Sequence, residues 1–123
     1  MSNDVLFESS EEYKGFTITF QALIEDTPPE ESFDTDVFAD HIRAIHNGEV
    51  MYFCAKVTAS FNGLELAQDY LGCCDYENYE DFTAEPSDYY ADMRETVVEA
   101  AMAQMEEICE KFHALKQLNT KEL

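Results

Sequence analysis

An antiparallel β-sheet of three to four strands, with a short helix and a long C-terminal helix packed on one face, is the α+β arrangement that this sequence predicts. Three observations point to it. Phe16, Ile18 and Phe20 alternate with Thr17, Thr19 and Gln21, the period of two of a half-buried strand. Asn62-Gly63 separates two apolar runs, and that dipeptide suits a two-residue type I′ hairpin turn. From Asp88 onward apolar residues recur at helical spacing to about Leu118.

Taken in order, the first strand is expected over 13–24, and Pro28-Pro29 breaks it. A helix follows, beginning near Asp34 or Thr35, with Val37, Phe38, Ile42 and Ile45 on one face. Asn47-Gly48 is placed to end it. Strands over 50–61 and 64–73 then pair through the Asn62-Gly63 turn. Setting Phe61 opposite Leu64 puts Ser60 opposite Glu65, Ala59 opposite Leu66, Lys56 opposite Asp69, Ala55 opposite Tyr70 and Cys54 opposite Leu71. The Lys–Asp pair on the polar side supports this register. The last helix has Ser87 as its N-cap. Met93, Val97, Ala101, Gln104, Ile108, Phe112 and Leu115 fall on one side, expected to cover the sheet. Asp88, Asp92, Glu95, Glu99, Glu106 and Glu110 fall opposite, facing water.

Residues 1–123 are read as a single acidic domain. A chain that is 46% hydrophobic and 13% aromatic has the material for a core, which a disordered acidic chain lacks. Its formal charge is −20, far beyond the magnitude of roughly 2 to 8 that solubility asks of a small domain. Self-repulsion at that density costs stability, and phosphates or anionic lipids would be repelled. Direct nucleic-acid binding and membrane association are therefore not expected. No segment approaches the roughly 20 apolar residues of a membrane span.

Chemistry-bearing motifs are missing. Cys54, Cys73, Cys74 and Cys109 form neither a CxxC pair nor a zinc spacing, and the N-terminal stretch has no signal-peptide pattern. Reduced thiols and a cytosolic location are expected. Asp34, Asp36 and Asp40 cluster, but the glycine and terminal Glu of a calcium loop are not at their set spacing. His41 and His46 are five apart, which is not the i, i+4 spacing of helical zinc ligands. There is no Gly-rich phosphate loop, no nucleophile elbow and no H-E-x-x-H. No catalytic residue, metal or cofactor is assigned, and a non-enzyme is expected.

What the chain does carry is organised negative charge. The stretch "DYENYEDFTAEPSDYYAD", residues 75–92, holds seven carboxylates and five aromatic rings without a single Lys or Arg. Its acids are Asp75, Glu77, Glu80, Asp81, Glu85, Asp88 and Asp92, and the helical stripe continues them through Glu95 and Glu99. A second base-free block, 25–40, contributes Glu30, Glu31, Asp34 and Asp36. An exposed helix face is charged in most proteins, and adaptation to high internal salt is a competing source of acidity. Like charges at i, i+3 and i+4 nonetheless repel, where Glu–Lys pairs would attract. On a folded frame, carboxylates about 5 to 6 Å apart can imitate part of the charge row of duplex DNA, one charge per roughly 1.7 Å of axis. The rings are expected to anchor the loop, with Phe82 and Tyr90 in the core.

In size, charge and the two acidic blocks, the chain resembles the small DNA-mimic inhibitors of phages and plasmids, the anti-CRISPR and antirestriction proteins. The pattern "YKGFTITF … NGLELAQDYLG … YYADM" also looks like small proteins carried on bacterial mobile elements. The first resemblance implies a non-enzymatic inhibitor, monomeric or homodimeric. Its partner would be a basic DNA-binding protein, most directly a CRISPR effector complex. An antirestriction protein, an immunity protein against a nuclease toxin and an acidic secretion chaperone are the alternatives.

Overall fold

The computed structural model describes residues 4–121. Strands β1 (Val5–Tyr13), β2 (Phe16–Leu23), β3 (Met51–Phe61) and β4 (Leu64–Tyr76) form one antiparallel sheet in the order β1-β2-β3-β4. Between β2 and β3 lie two short helices, α1 (Pro29–Ser32) and α2 (Ala39–His46). A 3-10 turn, Tyr79–Phe82, follows β4, and the chain ends in α3 (Asp88–Lys121). The α+β class, the antiparallel sheet and the long C-terminal helix are as the sequence predicts.

The core is built from alternate residues of the central strands. Phe16, Ile18, Phe20 and Ala22 of β2 and Phe53, Ala55, Val57 and Ala59 of β3 are buried on one face. Tyr90, Met93, Val97, Val98 and Ala101 of α3 close over them. The other face is laced with polar pairs, Ser10 with Thr19, Thr17 with Glu12 and Gln21 with Glu8.

Strand β1 lies outside the expected 13–24 span. Its link to β2 is Lys14-Gly15, with φ of 52° and 89°, the two positive values of a type I′ turn. Lys is not a residue that announces this turn, and Glu8, Glu11 and Glu12 break the apolar pattern of the strand. The Asn62-Gly63 turn forms as expected, with φ of 50° and 83°.

Register between β3 and β4 differs from expectation after two pairs. Phe61 faces Leu64 and Ser60 faces Glu65, but a bulge at Leu66 then sets Ala59 opposite Ala67. Asp69 consequently meets Val57, Ala55 meets Leu71, and Lys56 meets Tyr70, over whose ring its Nζ stands at 5.8 Å. The expected Lys56–Asp69 and Cys54–Leu71 pairs do not form. A bulge inserts one residue on one strand only, and no dipeptide marks it in advance.

The helix expected from Asp34 or Thr35 is shorter than expected, and α1 before it was not expected. Asp34 Oδ1 accepts from the N–H groups of Asp36 and Val37, an Asx turn that competes with helix, so α2 begins at Ala39. Val37 is 71% exposed and only Ile42 of the expected face is buried. Asn47 and Gly48 close the helix by donating to Arg43 and Ile45 carbonyls. In α3, Ser87 Oγ accepts the Tyr90 N–H at 3.3 Å, as the predicted N-cap.

The apolar stripe of α3 covers the sheet only in its first half. Val97 and Ala101 are fully buried, whereas Phe112, Leu115 and Leu118 are each more than half exposed, and Gln104 is exposed too. A helix of 34 residues is about 51 Å long, longer than the strands beneath it. It therefore runs off the sheet past the two hairpin turns, and Phe112 and Leu115 project beyond the cover they were expected to provide, with Ile108 half-buried.

Candidate interaction surface

The rings of the acidic stretch are its anchors. Phe82 is fully buried and stacks on Phe20 with centroids 4.8 Å apart. Tyr76 meets Phe82 edge-on at 5.3 Å, and Tyr79 packs on Phe7 and Phe53 at 5.6 and 5.4 Å. Tyr90 is 3% exposed and lies against Phe82. Only Tyr89 points out, at 61% exposure. Apolar rings between acids thus pin a loop whose carboxylates have nowhere to go but outward.

Local hydrogen bonds shape the same segment. Asn78 Oδ1 accepts the Asp81 N–H at 3.0 Å and starts the 3-10 turn. Ser87 Oγ donates to the Phe82 carbonyl at 2.7 Å, tying the end of the loop to the start of α3. Glu77, Glu80, Asp81, Glu85, Asp88, Asp92 and Glu99 are all exposed. Among the described residues none of the seven forms an ion pair.

The 25–40 block lies against this one. Glu25 Oε1 accepts the Cys73 N–H at 2.7 Å, and Gly72 lacks the Cβ that would stand 3.2 Å from the same oxygen. Burial raises the Glu25 carboxyl pKa, but the N–H groups of Cys73 and Thr27 outweigh it and hold the group below its ordinary value. Ser32 Oγ lies 2.9 Å from Cys73 Sγ and 3.0 Å from the Tyr52 hydroxyl, which donates to the Thr27 carbonyl. Desolvation pushes the Tyr52 phenol up to about 12. His41 Nε2 sits 2.6 Å from Asp75 Oδ2, and Phe33 packs edge-on against the His41 ring. Glu25 and Ser32 of one block, and His41 just after it, thus reach Cys73 and Asp75 at the end of β4, where the other block begins.

Not every predicted site acid is free. Asp75 is held by His41, and Glu30 by His46 at 2.6 Å, which lowers the Glu30 pKa. Glu95 departs from the row: Tyr13 donates to its Oε2 and Lys14 Nζ lies 3.2 Å from its Oε1, and both lower its pKa. Asp34 is spent on its Asx turn, while Glu31 and Asp36 are exposed. The β1–β2 hairpin that captures Glu95 follows from a strand the sequence does not announce. Glu11, on that strand, accepts from Tyr90 and from Arg94 Nη1 at 3.0 Å, and the Arg94 guanidinium covers the Tyr13 ring at 3.9 Å.

The four cysteines are free thiols, and burial pushes Cys74 up to about 12. Among the described residues no three His, Cys, Asp or Glu side chains come together as a metal site. None of the helices is long and apolar enough to cross a membrane. Comparison with protein-family models, with curated proteins and with solved structures returned no match.

Proposed function

We propose that this chain is a non-enzymatic DNA mimic that occupies the basic DNA-binding surface of a defence complex, most directly a CRISPR effector, in the cytoplasm of a bacterial host. One observation carries the reading. Glu77, Glu80, Asp81, Glu85, Asp88, Asp92 and Glu99 are exposed and, among the described residues, unpaired by cations, on a loop and helix start whose rings, Tyr89 apart, are packed into or against the core. Preorganised carboxylates leave little ordering cost to be met when a basic groove closes on them. A mimic of this kind competes with target DNA and needs neither cofactor nor nucleic acid. Four free thiols suit a reducing compartment.

The contact row in this reading omits Glu95, whose charge is compensated by Lys14. Reversing Asp88, Asp92 and Glu99 to Lys should abolish inhibition of target-DNA binding by a purified effector complex, with the circular dichroism spectrum unchanged. Inhibition should also weaken steeply with salt, since exposed charges are screened over about 8 Å at physiological ionic strength. An effector that still takes up target DNA at saturating protein would remove this reading for that target.

A further inference from the structure

We infer that the projecting half of α3 is a homodimer interface, in which the arms of two copies pack antiparallel as a two-helix coiled coil. Beyond Ala101 the helix continues for some five turns and leaves the sheet progressively, Met105 and Ile108 half-buried and Phe112, Leu115 and Leu118 more than half exposed, yet its apolar pattern does not stop. Val98, Ala101, Met105, Ile108, Phe112 and Leu115 repeat at alternating steps of three and four, the seam of a heptad. Met102 and Leu118 flank it, and Met102, Phe112, Leu115 and Leu118 stand 52%, 61%, 51% and 56% exposed. Helix segments of this length are marginal alone in water and draw stability from packing. A groove of about 510 Å³ opens where the arm leaves the sheet, between Met102, Met105 and Cys109 on the helix and Phe16 and Phe61 on the hairpins, with Glu106 and Glu110 also lining it.

Charge decides what covers the arm. In a chain of net charge −20, the acids of the arm (Glu106, Glu107 and Glu110) all avoid the seam and its flanks. The flanking positions are instead Met102, Gln104, Cys109, Lys111, Lys116 and Leu118. An acidic or basic groove-binder would meet no matched row here, whereas a second copy meets its own apolar seam.

Orientation follows from the same charges. A parallel pair would set two acidic bodies side by side, whereas lysines of the two arms meet in either orientation, Lys111 beside Lys116 in one and beside its own symmetry mate in the other. An antiparallel pair puts the bodies at opposite ends of an overlap about 30 Å long, several screening lengths apart. Antiparallel seams mate the two heptad positions with each other, and one register satisfies this throughout. Met105 faces Leu115 of the second copy, Ile108 faces its Phe112, and the two-fold repeats both layers. Lys116 then lies beside the Glu106 side of the other arm, at the groove. Met102, Phe112, Leu115 and Leu118 at on the order of 100 Å² each, with the remaining exposed parts of Met105 and Ile108, cover about 500 Å² per copy, so that the pair reaches the roughly 1,000 Å² a specific interface needs. This inference does not rest on the DNA-mimic reading.

Sedimentation equilibrium of the full chain should give twice the 14.1 kDa chain mass at micromolar concentration. The dimer should persist or tighten as salt rises, the opposite of the salt response expected for inhibition. Ile108→Glu with Phe112→Glu should yield a monomer that keeps its sheet, because neither side chain contributes to the core. Cys109 lies near the two-fold on one flank, so a short bis-maleimide should link two copies through it, and Cys109→Ser should abolish the link. A wild-type monomer, or a dimer indifferent to the double substitution, would overturn the interface. A dimer that fails to cross-link through Cys109 would overturn the antiparallel register.

Discussion

The two halves of α3 share one sequence pattern and have opposite fates. In the first, Tyr90, Met93, Val97 and Ala101 recur at helical spacing and are buried in the core beneath the helix. In the second, Ile108, Phe112 and Leu115 recur with the same spacing, and Phe112 and Leu115 stand more than half exposed. Periodicity tells which side of a helix is apolar. It does not tell whether anything lies opposite, because that depends on where strands from other parts of the chain end.

The sharpest way to break this comparison is to put the same charge on both halves. Val97→Asp should cost about 4 kcal/mol or more, since an unpaired carboxylate would replace a fully buried methyl cluster. Phe112→Asp should change the stability of the dilute, monomeric chain by no more than about 0.5 kcal/mol. Urea titration of both variants at low protein concentration measures the difference, and equal costs would mean that the arm is covered within one copy.

Truncation should show a smaller contrast. Met93→Ala removes packed core atoms at 6% exposure and should cost about 2 kcal/mol or more, whereas Leu115→Ala should lie within about 0.5 kcal/mol of wild type. The point of departure from the sheet can be mapped in the same way. Ala101 has no exposure, so Ala101→Leu should overpack the helix–sheet contact and cost about 1–3 kcal/mol. Ala103, two residues on and exposed, should accept Leu without loss.

A parallel comparison, between tied and free acids, gives the smallest effect. The folded-state pKa of Glu25 is depressed, so folding binds its proton less tightly than the unfolded chain does. Its contribution is fully present above the unfolded value of about 4.3 and is lost as pH falls through the lower folded value. Glu25→Gln should therefore be less stable than wild type at about pH 6, with the two converging as pH falls below the ordinary carboxylate range. Glu77→Gln, on an exposed acid with no ion pair among the described residues, should leave stability at about pH 6 within about 0.5 kcal/mol of wild type. Thermal melts across that range distinguish the two.

Much of the architecture was legible because it depends on neighbours in sequence. The alternation at Phe16, Ile18 and Phe20, the Asn62-Gly63 turn, the Ser87 cap and the start of α3 are all set by residues within a few positions of one another. The same holds for the acidic stretch, where Phe82 and Tyr90 could be assigned to the core from the sequence and are buried there. Strand β1 was not legible, since Lys14-Gly15 is an unmarked turn and its acids find partners only across the sheet and on α3.

By itself, the sequence determined the class of fold, the apolar side of each major element and the two blocks of charge, because periodicity, turn chemistry and the sign of a side chain are local properties. Only the tertiary structure decided the bulge that moves Asp69 away from Lys56, the capture of Glu95 by Tyr13 and Lys14, and the seam of Glu25, Ser32 and His41 along the end of β4. It also decided where the sheet ends beneath α3, and so which half of one continuous stripe is core and which is surface. Each of these depends on distances between residues tens of positions apart, which the folded chain sets and no short window of sequence contains.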